Sequence, residues 1–376
     1  MSSPGSDTRR AQSRTIAVPA PPAAGEALGD AGDAPLVTRK SQPKGGRLRR
    51  HWLASLLGAL AVVVGAAACG APVASPGSIE AARAELLGLI TDVTQATAYR
   101  YKLTDDQGRH IGPMDVIWVP EAERFAAVYF SWDDVDQAFH THVATSTNLL
   151  DWTWEVELAK QASMPAISAM SDGGYVVAWE QEPDPIHIVI AAFDTWDDLQ
   201  AGRIARRFDV PVTMPACGEG TPSIDDASRA GVELSFHYHG DCERYRQASG
   251  WTDWSTWQAV ARPERDQALI DRGIGGHIGD RDTITFRGHE LMLIEGERVP
   301  GDVTSWRTFL YDDETGVADQ IEFRTHAGSQ TFGTPSISQV RIGGQDAILV
   351  TLYVVTEGSR GGEDEELVFY RVLPGQ

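Results

Sequence analysis

Thr334-Pro335-Ser336-Ile337 has three relatives along the chain: Gly112-Pro113-Met114-Asp115-Val116-Ile117, Met164-Pro165-Ala166-Ile167 and Thr221-Pro222-Ser223-Ile224. Each sets a proline before small or apolar residues where a strand can begin. The prolines step by 52, 57 and 113 residues, the last being two repeats of about 56. The missing member falls at Gly279-Asp280-Arg281-Asp282-Thr283-Ile284, which keeps the strand and lacks the proline. Between the starts, short β-branched and aromatic runs alternate with turn residues, as in Ser171-Asp172-Gly173-Gly174-Tyr175-Val176-Val177-Ala178-Trp179. Five repeats of roughly 55 residues, each able to hold four antiparallel strands, predict an all-β, five-bladed β-propeller over 98–376.

Upstream of the repeats, Ile79, Ala82, Leu86, Leu89, Ile90 and Val93 recur at helical spacing behind Ser78, a residue suited to an N-cap. One short amphipathic helix is expected over about 78–93, within a segment 70–97 that opens as a tether. Its polar face carries Glu80, Glu85 and Asp92 against Arg83, so it is expected to pack on the protein rather than lie on a membrane. No later stretch shows helical periodicity.

Earlier still, Arg47-Leu48-Arg49-Arg50 precedes an uncharged apolar run from Leu53 to Ala68. A basic stretch followed by sixteen apolar residues, too few for a membrane span, is the layout of an export signal. The run ends Ala66-Ala67-Ala68-Cys69-Gly70, which resembles the lipobox of bacterial lipoproteins, with Ala66 where that family usually has Leu. The resemblance implies lipidation of Cys69 and export to the outside of a bacterial membrane; plain cleavage, leaving Cys69 as a free thiol, is the alternative. Segment 53–69 is thus read as signal and lipobox, and 1–52 as a disordered preface ending in the basic n-region. Arg49-Arg50-His51-Trp52-Leu53 also resembles a twin-arginine signal. Translation from near Val37, where the composition breaks, is a further expectation.

The chain has 376 residues and a net charge of -21. Nine basic and four acidic residues up to position 68 leave 23 basic and 49 acidic ones beyond it, a net of -26. A body that acidic repels phosphate backbones, so nucleic acid is not an expected partner. After Cys69 only Cys217 and Cys242 remain, and in an oxidising compartment they are expected to form a disulfide.

The turn Ser146-Thr147-Asn148-Leu149-Leu150-Asp151-Trp152 resembles the Ser-x-Asp-Leu-x-x-Trp turn of five-bladed glycoside hydrolases of families 43 and 32. Phe193-Asp194-Thr195-Trp196-Asp197-Asp198-Leu199 and Gly250-Trp251-Thr252-Asp253-Trp254 occupy similar places in the next two repeats. The resemblance implies a site in the central funnel, at the starts of the innermost strands. Glycoside hydrolysis needs one carboxyl to protonate the leaving oxygen and one to activate water. The matching positions offer Asp115, Glu219 (in Gly218-Glu219-Gly220-Thr221-Pro222, one residue longer than the family's Glu-Gly-Pro) and Asp282 as catalytic candidates. Asp280 and Arg281 are candidates for ligand binding. Met164 stands where the family has an acid, so the set is incomplete.

His140-Thr141-His142 and His237-Tyr238-His239 each put two imidazoles on one strand face, without a third metal ligand at recognisable spacing. Asp133-Asp134-Val135-Asp136 reads as a solvated acidic loop. No metal is assigned, and with no P-loop, dinucleotide fingerprint or nucleophile elbow no cofactor is expected. Two functions stay open: a lipid-anchored, monomeric propeller binding a carbohydrate or similar polar ligand, with hydrolysis in question, or a cell-surface scaffold for a protein partner.

Overall fold

The computed structural model describes residues 77–182, 185–214, 216–240, 242 and 244–374. The signal segment, Cys69 and Val37 lie outside the described residues.

Five four-stranded antiparallel sheets ring a common axis. Blade I holds β2 (Met114–Val119), β3 (Arg124–Asp133), β4 (Ala138–Ser146) and β5 (Thr153–Lys160), innermost first. Blade II holds β6 (Ala162–Ala169), β7 (Tyr175–Gln181), β8 (His187–Phe193) and β9 (Arg206–Asp209). Blade III holds β10 (Ala216–Ser228), β11 (Gly231–Gly240), β12 (Arg244–Thr252) and β13 (Trp257–Ala261). Blade IV holds β14 (Ile278–Phe286), β15 (His289–Glu297), β16 (Trp306–Tyr311) and β17 (Ala318–Gln320). Blade V holds β18 (Phe332–Ile342), β19 (Gln345–Val354) and β20 (Glu365–Val372), and takes its outermost strand from the other end of the propeller region. That strand, β1 (Ala98–Tyr101), pairs with β20 from Ala98↔Tyr370 to Tyr101↔Leu367 and closes the ring.

The second strand of each blade reads as an apolar run because it lies between two neighbouring sheets. Residues 125–131 of β3 are all buried, as are 175–179 of β7 and 291–297 of β15. Outer strands such as β5 show mixed exposure. Apolar clusters seal blade V against I, I against II, II against III and IV against V. The contact between III and IV is more polar: Gln247 Nε2 donates to the carbonyls of Ile278 and Gly279, and Arg265 bridges Ser235 and Asp313.

Helix α1 (Ile79–Ile90) forms where the periodicity places it, with Ser78 Oγ accepting from Ala81 N at 3.3 Å. It buries Ile79, Ala82, Leu86, Leu89 and Ile90 against blades IV and V. Its polar face is used too: Arg83 pairs with Asp312 (2.6 Å) and Asp319 (2.9 Å), and Glu85 with Arg287 (2.7 Å). The structure adds two helices that periodicity did not show, α2 (Trp196–Gln200) and α3 (Pro263–Ile270). Both are too short for a repeat to register, and capping carries them instead. Thr195 caps α2, while α3 starts at Pro263 with Glu264 and Asp266 in its first turn.

Candidate functional site

The inner strands bring five tripeptides around the axis: Pro113-Met114-Asp115, Met164-Pro165-Ala166, Thr221-Pro222-Ser223, Asp280-Arg281-Asp282 and Thr334-Pro335-Ser336. Met114 and Arg281 stand where three blades have proline, so Pro113 sits one residue ahead of the repeat. In blades II to V the pairing register slips at this point. Met164, Thr221 and Thr334 hold the bulge at φ of 48°, 47° and 43°. Positive φ strains a side chain with a Cβ, and branched threonine most of all.

Asp115 and Asp282 meet at the axis, each accepting from the hydroxyl of Ser336, at 3.2 and 2.8 Å. Asp115 also accepts the amides of Val116 and Ile167 (both 2.8 Å), the second from blade II. Asp282 accepts the amides of Thr283 and Ile337 (both 2.8 Å), the second from blade V, and Ser223 Oγ at 3.3 Å. Every oxygen of the pair therefore has a protein donor. The channel they line is about 50 Å³, room for one or two waters and too small for a sugar ring. Burial raises both carboxyls, and Asp282 is pushed up to about 7, with the Asp115 charge adding to the effect. Burial together with the neighbouring charge therefore disfavours full ionisation of the pair.

A second cluster lies one step up the funnel, around Thr221. The Thr221 amide donates to Glu180 Oε2 (3.1 Å) and its carbonyl accepts Arg281 Nη1 (2.6 Å). Its hydroxyl lies 2.5 Å from His237 Nδ1 and accepts Arg281 Nη2 at 2.9 Å. Burial holds His237 well below its ordinary value, so its ring is neutral and its tautomer sets which of the two groups donates. Asp280 also faces this hub, 3.9 Å from His237 Nδ1. Glu295 Oε1 accepts the Asp280 amide (3.1 Å) and Oε2 the Thr334 amide (2.6 Å). Thus Glu180 and Glu295 each hold the strained bulge of the following blade.

Burial pushes Glu180 up to about 7, with the nearby Asp280 charge reinforcing it, and lifts Glu295 well above its usual range for the same two reasons. Asp280 is raised by burial and pulled back by Arg281, whose guanidinium burial lowers to about 10. Tyr245 lies between His237 (ring centroids 4.2 Å) and His277 (4.1 Å). Burial and the charges of Glu180, Asp280, Glu297 and Glu295 push its phenol up to about 12. The result is a set of carboxyls whose joint ionisation burial and mutual repulsion disfavour, beside a buried guanidinium and a phenol. Such a set can both donate to and accept from hydroxyl groups, and can hold one acid beside one base.

The structure brings Asp115 and Asp282 together, and Asp280 and Arg281 together above them. Glu219 is elsewhere. It does not line the channel, and its Oε1 accepts the amides of Thr213 and Met214 (2.8 and 2.7 Å) in the loop before β10. Its buried Oε2 makes no hydrogen bond among the described residues, and burial raises the carboxyl. Glu180, Glu295 and Tyr245 were missed in the sequence because they come from second and third strands, where no motif marks them. Cys217 and Cys242 are disulfide-bonded, with Cα atoms 5.3 Å apart, tying the start of β10 to the β11–β12 turn. His142 is committed to Ser131 Oγ (2.9 Å) and Trp154 Nε1 (3.4 Å).

No family model matches the chain, and no curated protein matches it. Solved structures do. A glycoside hydrolase aligns with a TM-score of 0.53 and 10% identity over 80% of this chain and 96% of its own. A thermostable family-43 glycoside hydrolase aligns with a TM-score of 0.50 and 12% identity over 74% of this chain and 94% of its own. The chain has the five-bladed propeller fold of the family-43 glycoside hydrolases.

Proposed function

We propose that this protein is an exported, lipid-anchored propeller whose funnel binds a carbohydrate or similar polyhydroxyl ligand at Glu180, Asp280, Arg281 and Tyr245. The observation that carries the reading is the group of carboxyls raised by burial around Thr221 and Arg281. A neutral carboxyl beside an ionised one meets a sugar hydroxyl as donor and acceptor at once. The axial pair of Asp115 and Asp282 is saturated by protein donors, so any acid–base chemistry on such a ligand belongs to Glu180 and Asp280 above it.

The test is equilibrium binding of the purified protein to an array of neutral oligosaccharides, with reducing-end release followed alongside. Glu180→Gln is expected to weaken binding at least tenfold. Gly220→Ala is expected to do the same, because a Cβ there would stand 2.0 Å from Glu180 Oε2 and displace the carboxyl. Oligosaccharide binding that both variants leave unchanged, or none in the wild type, overturns the reading.

A further inference from the structure

The β3–β4 hairpin of blade I carries a cluster that the funnel does not use. Asp133, Asp136 and His140 each offer one ligand atom, and these atoms lie within 4.8 Å of one another. The hairpin turns through Gln137 at φ 52°, which folds the acidic loop back over the start of β4.

His140 makes this more than an acidic loop. Its side chain is 2% exposed, and its Nδ1 lies 2.9 Å from Glu157 Oε2 on the neighbouring strand. Of its tautomers, the one with the proton on Nδ1 donates to Glu157 and presents the Nε2 lone pair to the loop. Among the described residues that buried Nε2 makes no hydrogen bond, and its ion-pair contact is Asp136 Oδ2 at 3.2 Å. The 3.2 Å between Nε2 and Asp136 Oδ2 is also the separation of two ligand atoms on one metal ion. A carboxylate behind the far nitrogen is the usual arrangement for a metal-bound histidine, fixing its tautomer and raising its basicity. Asp133 is oriented as well, its Oδ1 accepting the amides of Val135 and Asp136 at 2.8 and 2.7 Å.

We propose that Asp133, Asp136 and His140 bind a divalent transition-metal ion of the zinc type, with Glu157 orienting the histidine. An imidazole with two carboxylates suits zinc or cobalt better than calcium or magnesium, which take oxygen ligands. Ligand atoms around a tetrahedral ion lie about 3.3 Å apart, given bonds of about 2.0 Å. His140 Nε2 and Asp136 Oδ2 already stand at that spacing, and Asp133 has to close the rest by a side-chain adjustment of an ångström or so. Lys160 Nζ, 2.7 Å from Asp136 Oδ2, supplies the positive charge in the absence of metal, and its exposed chain is able to swing away.

The experiment is calorimetric titration of the chelator-stripped full chain with zinc chloride, repeated with cobalt chloride for its visible ligand-field bands. One saturable equivalent is expected, weakened at least tenfold by His140→Gln and by Asp136→Asn. Lys160→Met, which removes the competing ammonium, is expected to tighten binding severalfold. Asp136 is exposed, so Asp136→Asn decides the matter even if His140→Gln fails to fold. Absence of saturable binding overturns the proposal. So does binding that Asp136→Asn leaves intact, or a nitrogen-resolved spectrum of the metal-free protein showing both His140 nitrogens protonated together with no metal uptake.

Discussion

Replacing Asp282 by asparagine should change how stability depends on pH, and the axial geometry sets the sign. Asp282 is held among Ser336, Ile337, Thr283 and Ser223, with Asp115 sharing the Ser336 hydroxyl. Its proton is held up to about 7 in the folded protein against an ordinary 3.8, by burial first and the Asp115 charge second. Between those values the folded chain binds more protons than the unfolded one. The stabilisation is therefore complete below about pH 4 and is lost as pH rises through about 7. Three units at 1.36 kcal/mol each set an upper bound of roughly 4 kcal/mol, and the share of the proton held by Asp115 reduces this to about 2–4. Asp282→Asn removes that titration at a fixed cost, since its amide nitrogen cannot accept from a backbone N–H. About two of those units fall between pH 5 and pH 8, so relative to wild type the variant should gain about 1–3 kcal/mol over that window, or a few degrees of melting temperature. His142 and His237, which burial holds low, act in the opposite sense and cancel in the comparison. Melting curves of both proteins at half-unit pH steps provide the assay. Parallel curves from pH 5 to pH 8 would refute the raised Asp282 carboxyl.

Cys217→Ser should cost about 3 kcal/mol, the loop-closure value for a separation of 25 residues, and a reductant should lower the wild-type melting temperature while leaving the variant unchanged. Cys69→Ser should move the protein from the membrane fraction to the soluble one; unacylated mature wild-type protein in the soluble fraction would count against the anchor.

The propeller was legible because its determinants are local and repeated. Each inner strand starts the same way, and each second strand is an apolar run bounded by turns, as at Asp172-Gly173-Gly174 before Tyr175. The closure by β1 was not legible: Ala98–Tyr101 carries no signal naming β20 as its partner, some 270 residues away in the chain. The axial carboxyls could be found because they sit at the repeated strand start. Glu180 and Tyr245 could not, since only the angle between blades II, III and IV brings β7 and β12 over Thr221. The hairpin cluster was split by the reading itself. In the sequence Asp133 and Asp136 belong to a loop and His140 to a strand pair, while the turn at Gln137 joins them across that division.

The ring of equivalent positions explains where an open site can arise. Reading around the axis it runs Asp115, Ala166, Ser223, Asp282, Ser336. Asp115 clasps blade I to II, Ser223 reaches Asp282 from III to IV, and Asp282 holds V through Ser336 and Ile337. Ser336 returns to Asp115 and completes the circuit. Only Ala166, with no polar side chain, leaves its junction with blade III without a clasp at this level. The carboxyl that junction lacks is supplied by Glu180, which reaches the Thr221 amide from the second strand of blade II. An acid moved outward from the axial ring is still able to hold the neighbouring blade. The sequence shows Met164 where the family resemblance calls for an acid in repeat two, and Glu180 answers that vacancy from a strand that no motif marks. The geometry that strains Thr221 into positive φ therefore also brings Glu180, Asp280 and Arg281 to one residue.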